Sequence, residues 1–219
     1  MKLINNLKEP MNGFTHFIGI VLSIIGTIFL INSSLNPYKL NHLIAFSIFG
    51  LGLILLYTTS TLYHWLKLSD AGILRMRKAD HIMIFINIAA TYTPVCMIAL
   101  KNNLGWTLLS IIWSIALVGI LIKIFWIQAP RWLSTTIYVL MGWMAIVVII
   151  PLIEILQMKA LVWLFIGGVF FTTGAIIYAL KKPDPYPGIL GFHEIFHLFV
   201  LLGSFSHFWM IYKYIAILN

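Results

Sequence analysis

Seven long apolar stretches, separated by short polar or proline-bearing breaks, dominate this chain of 219 residues. A helix needs roughly 20 mostly apolar residues to cross the hydrocarbon of a bilayer. The stretches at about 14–32, 42–65, 80–100, 105–126, 132–152, 159–180 and 189–215 approach or exceed that length. The breaks are chemically marked: Asn36-Pro37, the basic run from Arg75 to Lys78, Asn102-Asn103, Ala129-Pro130-Arg131, and Lys181-Lys182-Pro183-Asp184-Pro185, which runs on to Pro187 and Gly188. Backbone polar groups in lipid must be satisfied within the segment, so these spans are expected to be helices. The sequence therefore predicts an all-α, seven-transmembrane helix bundle forming a single domain over residues 1–219. Short connections make sequential helices neighbours. There is no internal repeat and no low-complexity segment. No A-x-A site follows the first stretch, so it reads as a span rather than a cleaved signal.

Composition agrees. Apolar residues make up 61% and charged residues only 9%, against about 25% charged in a soluble domain. A soluble fold this small cannot hide so much apolar surface. A disordered chain and a nucleic-acid module are excluded with it. Cys96 is the single cysteine, so there is no disulfide scaffold, and its apolar surroundings predict a small core residue.

The net charge of +8 has a positional explanation. Lys2, Lys8, Lys67, Arg75, Arg77, Lys78, Lys123, Arg131, Lys181 and Lys182 fall on one side of the predicted membrane. Lys39, Lys101, Lys159 and Lys213 fall on the other. Ten against four predicts an inside N-terminus and an outside C-terminus. The partners implied are membrane lipids, with no nucleic acid. Trp106, Trp126 and Trp132 fall at span ends, where amphipathic rings settle.

Ionisable residues inside spans are expensive and need a reason. His16, His64, His81, His193 and His197, with Asp80 and Glu194, all fall near predicted inner ends of spans; His42 and His207 do not. His193 and His197 are four apart, so on a helix both imidazoles reach one metal ion. His64 closes span two at the same depth, Ser60 lies one turn earlier on its face, and Asp80 opens span three. Three neutral histidines leave a fourth zinc position for water, the pattern of a catalytic site. His16 and His81 rival His64 as the third ligand. A buried polar cluster that ties helices together is the bland alternative. His207, ten residues past His197, lies roughly 15 Å further along the helix and cannot share that ion. It is expected to hydrogen-bond between helices. Tyr92, Thr93 and Pro94 are expected to form a kink with satisfying hydroxyls. Gly50, Gly52, Gly167 and Gly168 are expected at close helix contacts.

His193-Glu194-x-x-His197 also matches H-E-x-x-H, the zinc protease pattern in which the glutamate is the base. No additional protease motif accompanies it, and a third ligand would come from upstream. Glu194 could equally support a ligand or face a cation such as Lys181.

At these residues the chain resembles the hemolysin III family, the bacterial branch of the progestin and adiponectin receptor family. The resemblance rests on Glu9-Pro10-x-Asn12-x-x-Thr15-His16-x-x-Gly19, Ser60-x-x-x-His64, Asp80-His81, Thr91-Tyr92-Thr93-Pro94, His193-x-x-x-His197 and His207. It implies a seven-helix bundle with an inside N-terminus in the cell membrane, the bacterial inner membrane by resemblance. It implies zinc held by His64, His193 and His197. Asp80 matches an aspartate that contacts water at the metal, and Ser60 the serine beside it. The adiponectin receptor branch carries Gln at the position of Glu194, which weakens the protease alternative. The wider superfamily includes alkaline ceramidases, which cleave lipid amides.

The function expected is a zinc-dependent hydrolase of lipid amides at the inner leaflet, with Asp80 and Ser60 catalytic and an acyl-chain or sphingolipid-like substrate. The alternatives are a membrane sensor or cytolytic protein with a structural zinc, an intramembrane protease, and a transporter.

Overall fold

The computed structural model describes residues 7–186 and 189–218. Lys2, Pro187 and Gly188 lie outside the described residues. The elements are α1 (Pro10–Ser33), α2 (Leu40–Trp65), α3 (Asp70–Pro94), α4 (Asn103–Phe125), α5 (Arg131–Trp143), α6 (Ile149–Ile155), α7 (Met158–Leu180) and α8 (Phe192–Met210). A π-helical turn, Val95–Leu100, continues α3, and another, Ile211–Ile215, continues α8. A 3-10 segment, Met144–Val148, joins α5 to α6. These make seven helices long and apolar enough to cross a membrane, and no strand among the described residues.

The third span corrects the sequence expectation. The run from Arg75 to Lys78 is helix, not a break, and Asp80 lies well inside α3. Ser69 caps this early start by accepting from the Gly72 amide at 3.4 Å, and Asp70 sits in the first turn, where the helix dipole favours an acid. The whole span, Asp70–Leu100, has 31 residues. At about 1.5 Å per residue it reaches ~46 Å, longer than the ~30 Å of hydrocarbon. Its basic first turns can therefore stay helical and still lie at headgroup level.

The fifth span also departs from expectation, because it is broken rather than continuous. Pro151 in α6 has no N–H, and its ring collides with the carbonyl four residues earlier. The chain tightens into the 3-10 segment just before it. Tyr92 of α3 satisfies the backbone this frees. Its hydroxyl accepts from the Ala145 amide at 2.9 Å and faces the carbonyls of Met141 and Gly142 at 2.8 and 2.7 Å. The expected local kink is thus partly a cross-helix device. Thr93 alone acts locally, donating to the Ala89 carbonyl at 3.1 Å.

Packing follows small residues, since lipid supplies no hydrophobic drive between helices. The buried face of α1 reads Asn12, Gly13, Thr15, His16, Gly19, Ser23, Gly26 and Leu30. Gly13 lies under the Trp65 ring, Gly19 under Tyr57 and Gly26 under Phe208, so α1 sits close against α2 and α8. Gly50, Gly52 and Gly167 make similar approaches to Thr27, Ala90 and His207. Gly168 does not: only the Trp143 ring is near, at ordinary contact distance. The chain closes on itself, with α1 beside α2, α2 beside α3, α3 beside α4, and α8 between α7 and α1. Cys96 is buried as a core residue. Leu22, Phe125 and Ile150 point outward, as do Trp106, Trp126 and Trp132 at the span ends.

Candidate metal centre

The end of α2 and the first two turns of α8 meet at one end of the bundle. One ring nitrogen from each of His64, His193 and His197 lies within 4.8 Å of the other two. His64 Nε2 stands 3.3 Å from His193 Nε2. Zinc binds imidazole nitrogen at about 2.0–2.1 Å in a tetrahedron, which sets ligand nitrogens roughly 3.3 Å apart. A set of three imidazoles with room for one further group suits zinc. The residues therefore fit the ion.

The start of α1 holds two of these rings. Glu9 sits just before α1, where its amide donates to the His64 carbonyl at 2.8 Å and pins it to the end of α2. Its carboxylate Oε2 accepts from His64 Nδ1, and also from Asn12 Nδ2 at 3.3 Å. The hydrogen bond from His64 pulls the Glu9 carboxyl down to about 2, against burial that raises it. Glu9 is therefore ionised at neutral pH and fixes the proton of His64 on Nδ1. That leaves the Nε2 lone pair free for a ligand bond. His197 is oriented the same way, by a carbonyl. Its Nδ1 lies 3.2 Å from the Asn12 carbonyl, which can only accept, and 3.1 Å from Thr15 Oγ1. Sequence reasoning gave Glu9, Asn12 and Thr15 no role. The available signal was the motif Glu9-Pro10-x-Asn12-x-x-Thr15-His16, which places a polar residue at every third position just where an apolar span begins.

The other expected residues divide. Ser60 is buried one turn before His64, beside the Asp80 carboxyl, which also interacts with His64. These two do share the depth of the histidines. His16 stacks on His197 with ring centroids 3.6 Å apart and 16° between planes. The lone pairs of parallel rings do not converge, so His16 is no third ligand. His81 is outside the triad too; its carbonyl accepts from Tyr138. His42 pairs with the Leu218 carbonyl, and His207 with the Leu164 carbonyl of α7 at 3.2 Å, the interhelical bond expected of it. Glu194 turns away from the imidazoles. Its Oε2 accepts from the Gly191 amide at 2.9 Å and caps α8. In that orientation the H-E-x-x-H pattern lacks its base.

A cavity of about 810 Å³ opens beside the histidines and runs between the helices to His207 and Met210. Its wall near the histidines is polar and includes Asp80 and Ser60; deeper in it is lined by apolar residues such as Ile88, Leu161 and Phe165.

Comparison with known proteins fixes the family. Residues 4–208 match the family model described as haemolysin-III related. The chain belongs to the haemolysin III family. It is similar to the hemolysin-3 homolog of Bacillus subtilis, 40% identical over 210 residues that cover 94% of each chain. Hemolysin-3 of Bacillus cereus is 39% identical over 208 residues, covering 95% of this chain and 92% of that one. The human monocyte to macrophage differentiation factor is 25% identical over 213 residues, covering 95% and 84%. With its seven spans, this haemolysin III family chain is a multi-pass cell membrane protein.

Proposed function

We propose that this protein is a zinc-dependent hydrolase of lipid amides, working at the cytosolic end of the bundle with its N-terminus inside the cell. One observation carries the proposal. Three imidazoles converge on the wall of a lipid-sized cavity, two of them with Nδ1 already committed to a carboxylate or carbonyl. His64, His193 and His197 would hold the metal. Zinc so held polarises a carbonyl and lowers the pKa of water.

This chain's own groups do the rest. The apolar wall takes up the acyl chain and excludes bulk water from the amide. Asp80 accepts the proton of the attacking water and returns it to the departing amine nitrogen, leaving a fatty acid and an amine. The Ser60 hydroxyl donates to the oxygen that gains charge as the carbonyl becomes tetrahedral. Glu9, Asn12 and Thr15 hold the imidazoles throughout. The ten-to-four distribution of basic residues supports the inside N-terminus.

The test is fatty-acid release from an N-acyl sphingoid lipid in mixed micelles by the purified, zinc-loaded protein. Release that stops with Asp80→Asn, while zinc content is unchanged, is the expected result. Release by neither wild type nor any variant, across N-acyl lipids of different head and chain, overturns the proposal.

A further inference from the structure

The same cavity carries a feature that amide hydrolysis does not use. Lys123, in the last turn of α4, is only 3% exposed, and Arg77 of α3 and Arg131 of α5 line the wall with it. Lys123 Nζ reaches Ser134, one turn after Arg131 on α5, so Lys123 and the start of α5 meet at this wall, which Arg77 also lines. Lys123 Nζ donates to Ser134 Oγ, and the Arg131 guanidinium lies over the Tyr178 ring, 5.4 Å from its centroid. Neither partner is an anion. Among the described residues no carboxylate lies within ion-pair distance of Arg77, Lys123 or Arg131. The acids on the cavity wall are Glu9 and Asp80, and Glu9 is engaged with His64.

A buried ammonium without a counter-ion is costly, and half-buried Arg77 and exposed Arg131 add like charge to the same wall. Water entering the cavity would lessen it, and an anion would remove it. The start of α5 adds to the field. Pro130 offers no side-chain cap and the first turn of α5 holds no acid, so no side chain neutralises the positive end of the helix dipole there. Two guanidinium forks, one ammonium, the Ser134 hydroxyl and a helix start make a donor set suited to a tetrahedral oxyanion.

We propose that Arg77, Lys123, Arg131 and Ser134 form a phosphate subsite, and that the preferred ligand is an N-acyl lipid bearing a phosphate on its head. This rests on the hydrolase proposal for the amide, while the anion subsite stands on its own observations. The phosphate would lie at the subsite while the acyl chain enters the apolar part of the cavity.

The experiment measures binding, not turnover, on the full chain in detergent micelles. The probes are an N-acyl sphingoid lipid, the same lipid with a terminal phosphate, a free fatty acid and inorganic phosphate. Wild type is expected to prefer the phosphorylated lipid by about tenfold or more, as one charge-assisted hydrogen bond implies. In Lys123→Met and in Arg131→Gln that preference should fall towards one. Because the preference is a ratio within one protein, partial loss of folded material cancels. Displacement of the phosphorylated lipid by inorganic phosphate supports the shared chemistry. No preference in wild type, or one unchanged in both variants, overturns the subsite. A free fatty acid bound with the same dependence on Lys123 and Arg131 overturns the phosphate assignment. Inorganic phosphate bound in this way, with the lipid not bound, overturns the lipid assignment. If the preference holds and no lipid is hydrolysed, the amidase proposal fails and the subsite stands.

Discussion

Replacing Glu9 with alanine isolates what holds His64. Glu9 Oε2 takes the Nδ1 proton of His64 and an amide proton of Asn12. Without it, the imidazole can rotate or carry its proton on Nε2, where the ligand lone pair has to be. Removing such a partner costs about 10–100-fold in metal affinity, or roughly 1.4–2.7 kcal/mol. The Glu9 side chain is 39% exposed. Water can therefore replace part of the lost acceptor and screen the charge, which puts the expected loss near tenfold. Glu9→Gln keeps an acceptor oxygen without the charge and should fall between wild type and alanine. Competition with a zinc-chelating dye in detergent reads the affinities, and the melting of the metal-free proteins checks their folding. Zinc bound by Glu9→Ala as tightly as by wild type, under conditions where His64→Ala has lost it, would refute the reasoning. His64 would then owe its orientation to something else.

Three further outcomes are expected. Asp80→Asn should abolish fatty-acid release and retain zinc, as read by product and metal analysis on one preparation. Glu194→Gln should retain both zinc and hydrolysis, because Glu194 caps α8; the loss should be about 1 kcal/mol of stability or less, seen as a small drop in melting temperature. Tyr92→Phe leaves the Ala145 amide and the Met141 and Gly142 carbonyls short of a partner in the broken fifth span. It should cost about 1–3 kcal/mol in reversible unfolding in detergent.

The bundle was legible because bilayer thickness and helix rise leave few choices for seven apolar stretches. Two limits were not. Charges mark the edge of the hydrocarbon, not the end of a helix, so Arg75 to Lys78 concealed the first turns of α3. A proline deep in an apolar run breaks the ladder without changing hydropathy, so the 3-10 segment before Pro151 left no mark in the pattern. At the site, the four-residue spacing of His193 and His197 gave the pairing directly. His64 against His16 and His81 could not be decided by spacing, because it depends on ring orientation: His16 shares the depth but stacks on His197. Glu194 lay in a motif that suggested chemistry, and only the amide of Gly191 reveals it as a cap. The supports Glu9, Asn12 and Thr15 act across more than fifty residues of chain or through main-chain atoms, and periodicity does not report such contacts.

Zinc quantified per protein chain is the most direct measurement, made by elemental analysis on wild type, His64→Ala and His197→Ala after exposure to zinc and removal of loosely held ion. Wild type should retain a single ion, and each variant should lose most of it while keeping its helical content. An ion retained at full occupancy in both variants, or none retained by folded wild type, would contradict convergence of these histidines on a metal.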